Sequence, residues 1–155
     1  MKLFLILILV TPILTGCLEC GPQKELTLSL SLASDTVRLK KVYAIGAKNQ
    51  DVFQKQVKPE LTRSQSFDLP FSLHADETTY VFEFETRIDS LTVYYNRLFS
   101  HKQDCGFIVD VEAPANGINY RSTFDKVGVE YQSYLNGRKG ILMPGPGEIR
   151  VTVKL

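Results

Sequence analysis

Nucleophilic catalysis needs a base held against its nucleophile, and this chain offers two histidines, His74 and His101. Ser100, His101 and Asp104 bring together the residue types of a serine-hydrolase triad, but neighbours in sequence do not supply the geometry a triad requires. Both histidines read as solvated loop residues. The chain has no Gly-x-Ser-x-Gly elbow, no His-Glu-x-x-His pair and no phosphate-cradling glycine loop. Glu83 and Glu85 are one strand period apart and could serve a glycosidase as paired carboxylates. The default reading is a solvent-facing strand, since antiparallel sheets alternate polar-out. Among Tyr94, Tyr95, Phe99, Tyr120, Tyr131 and Tyr134, Tyr94 is the most informative. It falls on the face opposite Leu91, Val93 and Tyr95, where an aromatic ring could stack on a sugar or a partner. A second core, or a cross-strand pair, would use it as well. Nothing here implies a cofactor or a metal.

The three cysteines carry a different message. Lys2 precedes an apolar run, Leu3–Val10, which Thr11-Pro12-Ile13-Leu14 extends. Charge, a short apolar core and small residues before a cleavage point define a secretory signal. The stretch is too short for a spanning helix, which needs about 20 apolar residues. Leu14-Thr15-Gly16-Cys17 resembles the bacterial lipobox. That resemblance implies lipidation of Cys17, removal of residues 1–16, and anchoring by several acyl chains, where one alone binds reversibly. An ordinary signal with Cys17 as a disulfide partner is the alternative. With Cys17 lipidated, Cys20 and Cys105 remain, and an even remainder in an exported chain predicts a disulfide. A redox or zinc role for Cys17-x-x-Cys20 lacks the βαβ context or the second ligand pair.

Composition agrees with one exported domain. The chain has 155 residues, is 44% hydrophobic and 23% charged, and carries a formal charge of +1. A nearly neutral chain lacks the basic stripe that captures nucleic acid, so no nucleic-acid partner is expected. Loss of residues 1–16 removes Lys2 and leaves 17 basic against 17 acidic side chains.

The elements that would position any site read as strands. Leu26, Leu28, Leu30 and Leu32 alternate with Thr27, Ser29 and Ser31, which places the leucines on one strand face. Val37–Ala47 changes phase near Lys40-Lys41, the mark of a bulge. Residues 48–65 are poorly patterned, with an edge strand expected around Val52-Phe53. Ser66–Leu69 forms a short strand stopped by Pro70, and 73–78 a polar connection. Tyr80, Phe82 and Phe84, a turn at 87–90, and Leu91, Val93 and Tyr95 predict a hairpin. Cys105, Phe107, Val109 and Val111 form another strand, then Val127, Val129 and Tyr131, and finally Ile149, Val151, Val153 and Leu155. Asn136-Gly137 signals a turn and 143–147 a loop.

About eight strands without an amphipathic helix predict an all-β antiparallel β-sandwich of immunoglobulin-like architecture. A small β-barrel is the alternative. The expected organisation is a signal at 1–16, a lipidated tether at 17–24 and one domain at 25–155. Cys17-Leu-Glu-Cys20, Asp89-Ser-Leu-Thr-Val-Tyr-Tyr and Asp104-Cys-Gly-Phe107 together resemble small Bacteroidota lipoproteins of uncharacterised function. The resemblance implies a lipid-anchored protein of the cell envelope, expected at the outer membrane with its face left open. It also marks Asp35-Thr36-Val37 and Asp89-Ser90-Leu91 as candidate O-glycosylation motifs, both placed at expected turns. Ordinary turn chemistry is the alternative. The functional expectation is a non-enzymatic binding or structural role, with a membrane contact through the lipid and an envelope protein or glycan as partner. A surface carbohydrate-binding module is the alternative, and an envelope hydrolase the third.

Overall fold

The computed structural model describes residues 26–33, 38–55, 64–102, 106–136 and 147–155. Within them the chain forms ten strands and one short helix. The strands are β1 (Thr27–Ala33), β2 (Leu39–Ala44), β3 (Ser64–Leu69), β4 (Glu77–Phe84), β5 (Ile88–Tyr94), β6 (Asn96–Lys102), β7 (Gly106–Glu112), β8 (Tyr120–Ser122), β9 (Lys126–Gln132) and β10 (Glu148–Lys154). The helix α1 spans Asp51–Gln54.

Two four-stranded sheets, ordered β3-β1-β10-β9 and β2-β4-β5-β8, enclose the core, and β6 and β7 form a separate two-stranded ribbon. Neither sheet closes into a barrel, so the protein is an all-β sandwich. Leu28, Leu30, Leu32, Ile149, Val151 and Val153 of the first sheet face Val42, Tyr80, Phe82, Leu91, Val93 and Tyr95 of the second, in one buried cluster. The alternation visible in sequence produces this directly. Ser29, Ser31, Arg150 and Thr152 occupy the intervening positions and point the other way.

The topology departs from the expected all-antiparallel pairing at one place. β1 runs parallel to β10, with Leu30 opposite Val151, while β10 is antiparallel to β9 and β1 to β3. A hydrophobic pattern fixes which face is buried and is silent on direction. The pairing also defines one pole of the sandwich, at which β1 and β10 begin and β3, β5 and β9 end.

Several expected local details change. The stretch around Val52-Phe53 is helical, not an edge strand. Phe53 is buried and packs edge-on against Tyr80, with ring centroids 6.3 Å apart. Gln54 Nε2 donates to the Val42 carbonyl at 2.7 Å, so α1 caps the otherwise open edge of β2. The bulge at Lys40 is present, as a register shift between Leu39 and Lys41. The turn expected at 87–90 is shorter, because Ile88–Ser90 already belong to β5. Glu77 and Thr78, which the pattern assigns to a connection, open β4. β6 and β8 have no strand signal in sequence, which makes ten strands where the pattern predicts about eight. Cys17, Cys20, Cys105, Thr36 and Asp104 lie outside the described residues.

Candidate functional site

Tyrosine hydroxyls organise the pole where β1 begins. Tyr95 Oη donates to the Ser72 carbonyl at 2.6 Å and lies 2.7 Å from Thr78 Oγ1, which accepts from the Ser72 amide at 2.9 Å. The Tyr95 proton is committed to Ser72, so Thr78 is the donor to Tyr95 Oη, and the four groups close a ring. Tyr80 Oη donates to the Pro70 carbonyl at 3.0 Å. Tyr131 Oη donates to the Tyr94 carbonyl at 2.5 Å. These bonds tie the segment 70–72 and the end of β5 to the core. Burial raises the pKa of all three phenols above the ordinary 10.0, that of Tyr131 to about 12. They are neutral donors throughout the physiological range.

Over this base lies an open groove of about 360 Å³, lined by Asp76, Tyr94, Tyr95, Pro114, Asn116 and Ile118. Its outer wall is the loop after β7. Gly117, with φ of 74°, closes a turn by donating its amide to the Pro114 carbonyl at 3.1 Å. A positive φ suits glycine, which has no Cβ to clash. Asn116 Oδ1 accepts from the Ile118 amide at 3.0 Å. The Asn119 carbonyl accepts from the Tyr94 amide at 3.0 Å and so fastens the loop to β5. On the opposite side Asp76 is clamped by Arg97, whose Nε donates to Oδ1 at 2.8 Å while Nη1 reaches the Leu73 carbonyl at 2.8 Å.

Polar capacity is left over in the groove. Among the described residues no partner engages the Tyr94 hydroxyl, Asn116 Nδ2 or Asp76 Oδ2. The groove thus offers a phenol, an amide donor and a carboxylate acceptor beside the apolar surfaces of Tyr94, Pro114 and Ile118, the last 57% exposed. Small-ligand sites pair apolar walls with a few placed polar groups in this way.

Of the residues singled out in sequence, Tyr94 and Tyr95 line this groove. His74 is exposed in the loop before β4, and its amide donates to Ser72 Oγ at 3.2 Å. His101 lies in β6, not in a loop, and its ring packs edge-on against Phe107 at 5.2 Å. Ser100 and His101 are successive strand residues, so their side chains leave opposite faces of the ribbon and do not pair. Glu83 sits opposite Ile88 and Lys41 within the sheet, and Glu85 is exposed beyond the end of β4. Neither lines the groove. Ser90 is half-buried within β5 instead of at a turn. Its amide donates to Thr123 Oγ1, and its carbonyl accepts from the Thr123 amide and Ser122 Oγ.

Sequence reasoning missed two buried carboxylates. Asp89 is held by Arg87 Nε at 2.7 Å and Thr123 Oγ1 at 3.0 Å. Asp110 is fully buried and accepts from Ser133 Oγ at 2.6 Å and the Leu135 amide at 2.7 Å, both through Oδ2. β7 is inverted relative to expectation towards its start, since Phe107 is exposed while Asp110 is inside. Among the described residues no group of three or more potential metal ligands is found, and no helix is long and apolar enough to cross a membrane. Comparison with known proteins brings no match to a family model, a curated protein or a solved structure.

Proposed function

We propose that the protein is a membrane-anchored envelope lipoprotein whose sandwich serves as a non-enzymatic binding module, with the Tyr94 groove receiving one ring of a saccharide. The observation that carries this reading is the composition of the groove. An aromatic face suits the apolar face of a pyranose, while Asn116 Nδ2 and Asp76 Oδ2 match an acceptor and a donor hydroxyl. Arg97 keeps Asp76 in place, so less ordering is required when ligand arrives. Cys17 supplies the anchor through the lipobox-like Leu14-Thr15-Gly16-Cys17, and the Cys20–Cys105 disulfide completes the exported form. Neither histidine, nor Glu83 or Glu85, lines the groove, so the hydrolase reading draws no support from it.

The test is retention of the purified protein on immobilised envelope glycans. Tyr94→Ala should weaken retention by about tenfold or more, the equivalent of about 1.4 kcal/mol, with circular dichroism unchanged. Asn116→Ala should weaken it in the same direction. Retention that is indifferent to both changes would remove the groove from this reading, and binding to no glycan would remove the saccharide.

A further inference from the structure

Asp110 and Glu112 are alternate residues of β7, so their carboxyl groups leave the same face of the β6–β7 ribbon. One turn engages both. Asp110 Oδ2 accepts from Ser133 Oγ and the Leu135 amide, and Glu112 Oε2 accepts from Asn136 Nδ2 at 2.7 Å. The register sets Asn96 directly opposite Glu112, a separation at which side chains on one face interact. Two carboxyl and two carboxamide groups thus meet where β6, β7 and the turn at 133–136 come together. The set grades from Asp110, fully buried, through half-buried Glu112 and Asn96 to exposed Asn136, which leaves it a path from solvent.

One oxygen of this set is unsatisfied. Asp110 Oδ1 is buried and has no hydrogen-bond partner. Oδ2 is occupied by two donors, and a proton on Oδ1 would face no acceptor. Neither the acid nor the carboxylate is therefore satisfied by the chain itself. Glu112 puts a second acidic group beside it. Among the described residues no ammonium or guanidinium lies at ion-pair distance from either. Adjacent acidic groups without a countercharge repel each other, and a buried charge without a partner is costly. A cation shared by the two removes both penalties.

We propose that Asp110 and Glu112 form a calcium site, with Asn96 and Asn136 as amide-oxygen ligands, that pins the turn after β9 to the ribbon. All of these donors are hard oxygens, the ligands of Ca²⁺ and Mg²⁺ and not of the softer transition metals. Ca²⁺ takes about 6–8 oxygens, including amide and main-chain carbonyls and water, so two carboxylates suffice. It also tolerates irregular geometry, which suits ligands drawn from two strands and a turn, whereas Mg²⁺ demands a near-ideal octahedron. None of these residues lines the Tyr94 groove, and the site does not depend on the lipid anchor.

The chain has no tryptophan, and Tyr134 lies within the turn, so Tb³⁺ held there should emit on tyrosine excitation. The full chain is freed of metal with a chelator and titrated with Tb³⁺, and Ca²⁺ is then added in competition. Melting temperatures are read by circular dichroism in chelator, Ca²⁺ or Mg²⁺. The expected result is sensitised emission that Ca²⁺ displaces, and a melting temperature raised by about 4–6 °C at Ca²⁺ about tenfold above its Kd. Glu112→Gln keeps an acceptor for Asn136 but loses the charge. It should weaken Tb³⁺ and Ca²⁺ binding by about tenfold or more, with the circular dichroism spectrum unchanged. Glu85→Gln, at an exposed carboxylate beyond the end of β4, should bind like the wild type. No sensitised emission and no Ca²⁺-dependent shift would overturn the site and leave Asp110 Oδ1 to solvent. An equal response in Glu112→Gln and the wild type would place the ion elsewhere and overturn it as well. A larger response to Mg²⁺ than to Ca²⁺ would overturn the choice of ion.

Discussion

Tyr95 has one proton to give, and Ser72 receives it. Replacing Tyr95 by Phe leaves the Ser72 carbonyl and the Thr78 hydroxyl without that partner in a buried setting. An unsatisfied buried polar group costs about 1–3 kcal/mol, so Tyr95→Phe should lower the urea midpoint by that equivalent with the m-value unchanged. Tyr80, Tyr95 and Tyr131 share a second consequence, since burial raises the pKa of each. Above pH 10 the unfolded chain releases phenolic protons that the folded chain retains. The folded state then binds more protons, and stability must fall as pH rises. Stability should be insensitive to these groups below about pH 10 and decline between pH 10 and 12. Tyr131, raised to about 12, should account for part of that slope. Urea titrations across this range should be flatter for Tyr131→Phe than for the wild type.

The element most dependent on a single side chain is the turn after β9. Asp110 Oδ2 receives both Ser133 Oγ and the Leu135 amide, and the Ser133 hydroxyl oxygen in turn accepts from the Asn136 amide. Asp110→Ala should release the turn, speed hydrogen exchange at Leu135 and Asn136, and cost about 1–3 kcal/mol. Strands with strict alternation over a shared core, such as β1, β4, β5 and β10, are legible in sequence because period two is enforced by burial on one face. β6 is not. Asn96-Arg97-Leu98-Phe99-Ser100-His101 has no such period, because none of these residues is fully buried: Phe99 and His101 are exposed and the other four half-buried. β7 is recognisable as a strand but its exposure is not, since Asp110 is buried by a turn that comes later in the chain. Val52-Phe53 resembles a strand fragment because two adjacent apolar residues carry no period, and only packing against Tyr80 decides for helix. Tyr94 can be found from parity alone, while Asp76, Pro114, Asn116 and Ile118 are brought to it by loops whose positions depend on tertiary hydrogen bonds.

At the scale of the whole molecule, β10 lies between β1 and β9 and supplies Ile149, Val151 and Val153 to the core. Deleting residues 148–155 removes a central strand and should abolish the cooperative unfolding transition seen by circular dichroism. The expected Cys20–Cys105 bond makes a separate prediction for the exported chain. Under denaturing, non-reducing conditions it should show no free thiol. Reduction should lower its melting temperature, because closing a loop of 84 residues is worth up to about 4–5 kcal/mol in the chain-entropy model. The parallel pairing of the first and last strands also sets a schedule for synthesis. A ribosome adds about 5–20 residues per second, so roughly 6–24 s separate the emergence of β1 from that of β10. Throughout that interval Leu28, Leu30 and Leu32 have no central strand to complete their sheet. The nascent chain is committed to a late, all-at-once closure, and the factors that escort it must shield β1 until its last residues appear.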